Sequence, residues 1–324
     1  MTVDAQLTVA VGDYDHTRDL LTGAVDRAGI RYVAVARPEE LFQRVLEGGE
    51  FAAAEMSLAI ATVLVARGDQ RFTLLPVFPA RSFRHSAIWT QADGISHPSE
   101  LAGGRIGIPV WAQTAGVYAR GILASRYGLD LTSVTWVRAG VDTPGRAEPV
   151  DFDHRDQTIA TEPEKTLDQL LLDRQVDAVI SARPPAAAER SDPRVRRLFL
   201  DPEVEERRYL RDTDVFPIMH VVVVRREVLS RRPELAAALV ADFTDAKNNS
   251  LVRAVSATVP SYPLPWSSLQ ARAARELFGE DFWPYGVEPN RAALEAFLAY
   301  AHDQGLLDRP LEPGDLFAAE LSRL

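Results

Sequence analysis

The sequence predicts an α/β fold of two lobes, and three observations lead to this class. Short apolar runs alternate with stretches of helical spacing from residue 6 onward, as in a parallel sheet covered by helices. The alternation restarts near residue 106, and the chain is predominantly helical after residue 233. With 324 residues, 46% of them apolar, the chain is long enough for two lobes with a core each.

The first part of the pattern consists of strand and helix pairs that end in two further strands. The predicted strands are residues 6–11, 32–36, 74–78 and 86–90, the predicted helices are 17–28 and 38–47, and a short strand enters a helix within 51–66.

The second part repeats the alternation and then becomes helical. It contains predicted strands at 106–109, 134–138, 176–181 and 216–224, predicted helices at 115–127, 166–174, 233–252, 267–278, 290–304 and 312–324, and a long loop at 139–163. We expect one discontinuous lobe of residues 1–85 and 216–324, which includes the C-terminal helices, and a second lobe of residues 86–215. Two α/β lobes joined by two crossovers are the layout of a type 2 periplasmic binding protein, whose ligand lies in the interlobe cleft.

The composition excludes several classes of function. A formal net charge of −10 argues against a nucleic-acid surface, which needs a basic face. The absence of cysteine excludes disulfides, thiolate metal sites and a cysteine nucleophile. No apolar run approaches the roughly 18–20 residues of a membrane span, and the first residues lack a basic leader and an apolar h-region. We therefore expect a cytoplasmic protein without membrane or nucleic-acid partners; the sequence allows a homo-oligomer.

Two segments carry the chemistry expected of a cleft that binds an anion. Arg84 and His85, in FRHSAIW at the first crossover, place a fixed cation beside a group that titrates near neutrality. Gln113, Thr114 and Ala115, with Gly116, begin a predicted helix whose free amides would hold a carboxylate.

Six separated motifs occur along the chain: GDYDHTRDL from Gly12, EFAAAEMSL from Glu50, FPARSFRHSAIW from Phe78, GIPVWAQTAGVYARGIL from Gly107, FPIMHVVVV from Phe216 and FWPYGVEPNR from Phe282. Together and in this order they resemble the 4,5-dihydroxyphthalate decarboxylase family. The resemblance covers most of the chain. The chain departs from the family pattern at His16, where YDR is expected, and at Ala52, where an acidic residue is expected.

The resemblance implies an enzyme that removes one carboxylate from a hydroxylated aromatic diacid, giving protocatechuate in the named case, without an organic cofactor. Such chemistry needs cations or amides for the carboxylates, a base for the phenol and an acid near the ring carbon. We predict His85 and His220 as acid or base, although a histidine within an apolar strand is often a core residue. Glu55 would orient a histidine or accept a phenolic proton, or else cap or pair within the lobe.

The remaining candidates would bind substrate. Arg84 is predicted to clamp a carboxylate, with an interlobe salt bridge as the alternative. Arg183 would supply a second cation, and Arg120 is expected on the outer face of its helix. The other predicted contacts come from strand ends, the helix start and an aromatic segment: Asp13, Tyr14, Ser57, Gln113, Thr114, Ala115 and Trp283, with Tyr285 beside it.

We predict no cofactor and no metal, since no HxH or HExxH spacing occurs, although two histidines with Asp13 or Glu55 would suit a divalent ion. His154 with Asp151 and Asp153 is an alternative lid or weak metal site. Three alternative functions share the fold: a solute-binding protein for a small carboxylate, another cytoplasmic enzyme of the menaquinone or thiamine-pyrimidine type, and a ligand-sensing module.

Overall fold

The computed structural model of the chain contains two β-sheets with helices packed around them, and it describes residues 7–27, 29–152, 157–256, 258 and 261–318. The strands are β1 (Thr8–Val11), β2 (Arg31–Ala34), β3 (Ala53–Ser57), β4 (Phe72–Leu75), β5 (Ile88–Gln91), β6 (Arg105–Ile108), β7 (Thr135–Gly140), β8 (Thr158–Thr166), β9 (Ala178–Ile180), β10 (Val195–Arg197) and β11 (His220–Arg225). The helices are α1 (Arg18–Leu21), α2 (Pro38–Glu47), α3 (Leu58–Ala66), α4 (Thr114–Tyr127), α5 (Leu167–Leu172), α6 (Ala186–Glu189), α7 (Pro202–Thr213), α8 (Arg226–Arg231), α9 (Leu235–Val255), α10 (Ser267–Phe278), α11 (Arg291–Asp303) and α12 (Pro313–Leu316).

The first sheet has the strand order β2-β1-β3-β11-β4. β1 runs parallel to β2 and β3, whereas β11 is antiparallel to both of its neighbours, β3 and β4. All five residues of β3 are buried, as are Val221 to Val224 of β11, because these central strands are covered on both faces. The return of the chain to the first lobe is thus a buried apolar strand inserted beside β3.

The second sheet has the order β10-β5-β9-β6-β7-β8, and all its strands lie between residues 88 and 197. β6 is parallel to β7 and β9, β7 is parallel to β8, and β5 is antiparallel to β9 and β10. The predicted two-lobed α/β class therefore appears as two mixed sheets. Of the described helices, none is both long and apolar enough to cross a bilayer.

The structure differs from the sequence prediction at one strand and two helices. β8 lies within the segment predicted partly as a loop, and most of its side chains are exposed because it pairs at the edge of the sheet with β7 alone. The predicted helix 17–28 is much shorter: a 3₁₀ turn at Asp15–Thr17 leads into α1, which ends at Leu21. The predicted helix 312–324 begins with α12, and residues beyond 318 lie outside the described part of the chain.

The C-terminal region contacts both lobes. Its helix α11 packs against α4 of the second lobe. This packing explains why Arg120 of α4 is fully buried and not on an outer face as predicted. Its guanidinium lies 3.8 Å from the Trp111 ring centroid and donates to the Trp111 carbonyl at 2.7 Å and to Gln304 Oε1 at 2.8 Å. Arg120 therefore ties the chain before α4 to the end of α11.

Candidate active site

A cavity of about 690 Å³ lies between the two sheets. Its walls include Phe42 and His220 from the first lobe and Val110 and Ala115 from the second. This volume is in the range of roughly 300–1,000 Å³ that is usual for small-molecule sites. A second cavity, of about 440 Å³, lies at edge strand β4 beside Phe317 and contains no histidine.

Strand register brings Glu55 and His220 together. Glu55 and Ser57 lie two residues apart on β3, so their side chains share one face of the sheet. His220, the first residue of β11, pairs with Ser57 in the antiparallel register and is a diagonal neighbour of Glu55. The result is a distance of 2.5 Å between His220 Nδ1 and Glu55 Oε1, across 165 positions of sequence.

The Glu55 carboxylate is fully buried and accepts three hydrogen bonds. Its donors are His220 Nδ1, the Gly12 amide at 2.7 Å and the Tyr14 hydroxyl at 2.9 Å. Burial acts to raise the pKa of Glu55, but the hydrogen bonds, that from His220 first, hold this pKa below its ordinary value. The anion fixes Nδ1 of His220 as a donor, so Nε2 is the ring nitrogen left for a ligand.

Tyr14 and His16 lie behind the Glu55 carboxylate, outside the cavity wall. Burial and the Glu55 carboxylate raise the pKa of Tyr14, so the phenol stays neutral and donates. The His16 ring stacks on Tyr14 at 5.1 Å, and His16 Nε2 lies 2.6 Å from the Pro79 carbonyl oxygen, to which it donates. Asp13 is exposed and caps no helix: the N-cap of the turn at Asp15–Thr17 is Tyr14.

Three arginines line the cavity, and their hydrogen bonding differs. Arg81 donates to the carbonyls of Phe216 and Pro284 and to the side chain of Asn290, so it holds the crossover in place. Arg84 has Nε 3.0 Å from the Met219 sulfur, and among the described residues neither Arg84 nor Arg146 has a carboxylate within 4.0 Å. Burial lowers the pKa of Arg84 to about 10, so its guanidinium remains charged at neutral pH.

The start of α4 lies at the cavity, as the sequence predicts, but the hydroxyls of Ser57 and Thr114 bond to protein groups. Thr114 Oγ1 lies 2.9 Å from Ser57 Oγ and accepts from the Ala59 amide at 3.0 Å, so these two side chains join the lobes. Gln113 makes no capping hydrogen bond, and its Oε1 is buried without a partner in the described part of the chain. The first amides of α4, including that of Ala115, have no acceptor among the described residues and offer an anion site.

His85 does not reach the cavity, contrary to the prediction of a direct acid or base. It begins a 3₁₀ turn, where it is 2% exposed and packs against the rings of Phe199 and Tyr209 at 5.2 and 5.5 Å. Helix α7 covers it, and nothing in the sequence pattern predicted that helix. Burial, with Arg126 nearby, lowers the pKa of His85 to about 4, so the imidazole is neutral.

The buried neutral His85 predicts an acid-sensitive contribution to stability. Because the pKa is about 4 in the folded chain and roughly 6.5 in the unfolded chain, the stabilisation is complete above pH 6.5 and is lost as the pH falls towards 4. Between pH 7 and pH 5 the free energy of unfolding should fall by about 2 kcal/mol more in the wild type than in His85→Phe. Denaturant unfolding at both pH values measures this; equal falls in the two proteins contradict it.

The remaining predicted contacts lie outside the cavity wall. Arg183 bridges Glu39 of α2 at 3.0 Å and Asp142 at 2.8 Å, an interlobe ion pair rather than a free cation. Trp283 donates to the Phe78 carbonyl at 3.1 Å and contacts the His16 ring, and Tyr285 is partly buried against the apolar core. His154 and Asp153 of the alternative lid or metal site lie outside the described residues. Within the described ranges, no group of three His, Asp or Glu side chains is arranged to hold a metal ion.

Sequence reasoning missed Arg146 and Phe42, which line the cavity from the loop after β7 and from α2. Phe42 is the partly buried aromatic residue of an amphipathic helix, and its edge lies against the His220 ring at 5.0 Å. Arg146 lies in a segment without periodicity, where the only signal was an isolated basic residue between proline-rich turns.

Comparison with known proteins identifies the family. No family model matches the chain. A curated 4,5-dihydroxyphthalate decarboxylase from Comamonas testosteroni is 37% identical over 316 residues, which are 96% of both chains. The chain belongs to the 4,5-dihydroxyphthalate decarboxylase family. A second decarboxylase of this name, from Pseudomonas putida, is 36% identical over 201 residues, or 61% of this chain and 78% of that protein. Family membership confirms the resemblance and the prediction of an enzyme of the carboxy-lyase class.

Solved structures confirm the fold class. The ligand-binding component of an ABC-type import system from Staphylococcus aureus superposes with a TM-score of 0.56 at 13% identity, covering 98% of this chain and 97% of that one. The periplasmic aliphatic sulphonate binding protein from Escherichia coli gives a TM-score of 0.52 at 12% identity, with 96% and 91% covered. This decarboxylase-family chain thus has the type 2 periplasmic binding protein fold predicted from its layout.

Proposed function

We propose that the chain decarboxylates a hydroxylated aromatic dicarboxylate, with 4,5-dihydroxyphthalate, the substrate in the names of its relatives, as the first candidate. One observation carries the proposal: a histidine held by a buried carboxylate faces a cavity that also contains two guanidinium groups, those of Arg84 and Arg146, with no carboxylate of the described residues within 4.0 Å. Imidazole can move a proton and guanidinium can hold a carboxylate, which are the two tasks of this reaction.

The cavity suits a flat anion. Phe42, Ile60 and Met219 provide apolar wall for a ring, while Arg84 and the first amides of α4 provide donors for carboxylate oxygens. The ligand would lie between elements of both lobes, and closure of the lobes would exclude water from it.

The proposed step is protonation of the ring carbon that bears the leaving carboxylate. A hydroxyl para to that carbon donates electron density, and Nε2 of protonated His220 transfers its proton to the carbon. The bond to the carboxylate then breaks, its electron pair restores the aromatic ring, and carbon dioxide leaves. Glu55 stabilises the imidazolium that donates the proton, and solvent protonates the imidazole again for the next turnover.

Product analysis tests the reaction. Incubation with 4,5-dihydroxyphthalate should release one equivalent of carbon dioxide and one of dihydroxybenzoate, and in D₂O the product should carry deuterium at the vacated ring carbon. Unsubstituted phthalate should bind without decarboxylation, because it lacks the para hydroxyl. Tight binding of 4,5-dihydroxyphthalate without carbon dioxide release contradicts the proposal and favours a solute receptor.

The proposal places the enzyme in the cytoplasm, which cell fractionation tests.

Replacing Arg84 tests carboxylate binding separately from chemistry. Arg84→Met keeps an unbranched apolar chain against Met219 but removes the charge, so KM should rise by about 10- to 100-fold, the value of one charged hydrogen-bonded pair. The turnover number should change far less, since the proton donor is intact. Arg207→Gln, on the exposed face of α7, is the matched control with unchanged kinetics. An Arg84→Met enzyme with wild-type KM would refute the assignment.

A further inference from the structure

The loop after β7 forms one wall of the cavity. Five consecutive residues, from Gly145 to Pro149, line it, although the sequence indicated only a long irregular segment. The loop turns sharply where it leaves the sheet: a Cβ atom on Gly140 would lie 1.7 Å from the backbone oxygen of Thr143. Only glycine fits there, so the start of the loop has a defined path.

Glu148 anchors the same loop to the base of α4. Its two carboxylate oxygens accept from the amides of Trp111 at 2.9 Å and Ala112 at 2.6 Å, and Arg138 lies 3.4 Å away. These are charge-assisted hydrogen bonds at a partly buried site, the kind that holds a loop in one position. The loop is therefore fixed by its exit from β7 and by Glu148, with Arg146 between these points.

Arg146 is a half-buried cation that faces the cavity without a bonded partner among the described residues. Two carboxylates attract the Arg146 charge from a longer distance, and both are bonded elsewhere: Glu39 is paired with Arg183 at 3.0 Å, and Glu148 is held by the two amides. A guanidinium remains protonated in proteins and offers five donors, and none of the donors of Arg146 is bonded to a described residue, so they are available to an added anion.

We propose that Arg146 binds the second carboxylate of the substrate and that Glu148 is a positioning residue that holds the loop over the cavity; this inference rests on the proposed function. Two arginines of the cavity wall, Arg84 at the first crossover and Arg146 in the loop after β7, form no ion pair within 4.0 Å in the described part of the chain. An aromatic diacid supplies two carboxylates for them, whereas the product of its decarboxylation supplies one. The pair would thus favour substrate over product, which aids product release.

The test compares a diacid and a monoacid that do not react. Phthalate and benzoate are titrated calorimetrically against the wild type, Arg146→Gln and the control Arg207→Gln. In Arg146→Gln the dissociation constant for phthalate should rise about 10- to 100-fold, while that for benzoate changes less than about 3-fold. Equal weakening of both ligands, or no change in either, overturns the assignment.

Glu148→Ala tests positioning. Phthalate binding should weaken by about 5- to 50-fold with benzoate little changed, and the double variant with Arg146→Gln should bind no worse than Arg146→Gln alone, since the loop then has no cation to place. Additive losses, or unchanged or tighter phthalate binding in Glu148→Ala, overturn the positioning role. Comparable melting temperatures establish that both variants are folded.

The two proposals can fail separately. A wild-type protein that binds phthalate through Arg146 but releases no carbon dioxide from 4,5-dihydroxyphthalate supports the inference and defeats the proposed reaction. A wild type that decarboxylates this diacid, with a KM that Arg146→Gln leaves unchanged, defeats the inference alone. A wild type that binds neither phthalate nor 4,5-dihydroxyphthalate defeats both.

Discussion

His220→Asn should lower the rate of carbon dioxide release by about 10²- to 10⁴-fold, the usual contribution of a general acid. The asparagine amide retains a donor near the position of Nδ1, so the hydrogen bond to Glu55 persists while the proton donor at Nε2 is lost. KM should change little, because the guanidinium groups that hold the carboxylates are untouched. Single-turnover measurement of carbon dioxide with saturating substrate separates these effects.

His85→Phe is the matched control for this substitution. Both changes remove one imidazole that is largely shielded from solvent, but only that of His220 lines the cavity. The His85 variant should therefore retain wild-type turnover. The opposite pattern, an active His220 variant and an inactive His85 variant, would show that the acid is assigned to the wrong histidine.

Glu55→Gln should reduce turnover by about 10²- to 10³-fold and destabilise the fold by about 3 kcal/mol at pH 7. A glutamine has one acceptor oxygen and a donor group, so it cannot accept from His220, Tyr14 and the Gly12 amide at the same time. The imidazolium that donates the proton also loses the carboxylate that stabilises it.

The stability effect should depend on pH in a defined direction. The pKa of Glu55 is lowered in the folded chain, so its stabilisation is present above the unfolded pKa near 4.3 and disappears as the pH falls through the folded value. The difference in unfolding free energy between wild type and Glu55→Gln should therefore shrink in acid. Tyr14→Phe, which removes one donor and no charge, should cost only about 1 kcal/mol and less turnover. Wild-type turnover in Glu55→Gln would disprove the role of the carboxylate.

The sequence was sufficient to predict the elements whose apolar pattern is strong. Five elements occur close to their predicted positions: strands β3 and β11 and helices α2, α3 and α4. Their buried residues are apolar and are either consecutive or helically spaced, a pattern that the sequence shows directly. The edge strand β8 and the helix α7 were not predicted, since mostly polar sequences stabilised by a single packed face give little periodic signal.

The sequence predicted the residue types of the candidate site, but only some of the residues that form it. Glu55 and His220 were chosen because they lie at a strand end and in an apolar strand, and the structure makes them a hydrogen-bonded pair. His85 was chosen for its neighbour Arg84, yet consecutive residues at a turn point in different directions, and only Arg84 lines the cavity. Arg183 was read as a free cation because its partner Glu39 is 144 positions away in sequence.

The sequence by itself determined the two-lobed α/β class, the acidic and cysteine-free chemistry, and the family resemblance that comparison confirmed. Only the tertiary structure decided which polar side chains face the cavity, which pair with one another, and that the loop carrying Arg146 forms a wall. The physical reason is that local pattern controls burial along one element, whereas the site is assembled by strand register and loop contacts between residues far apart in the chain.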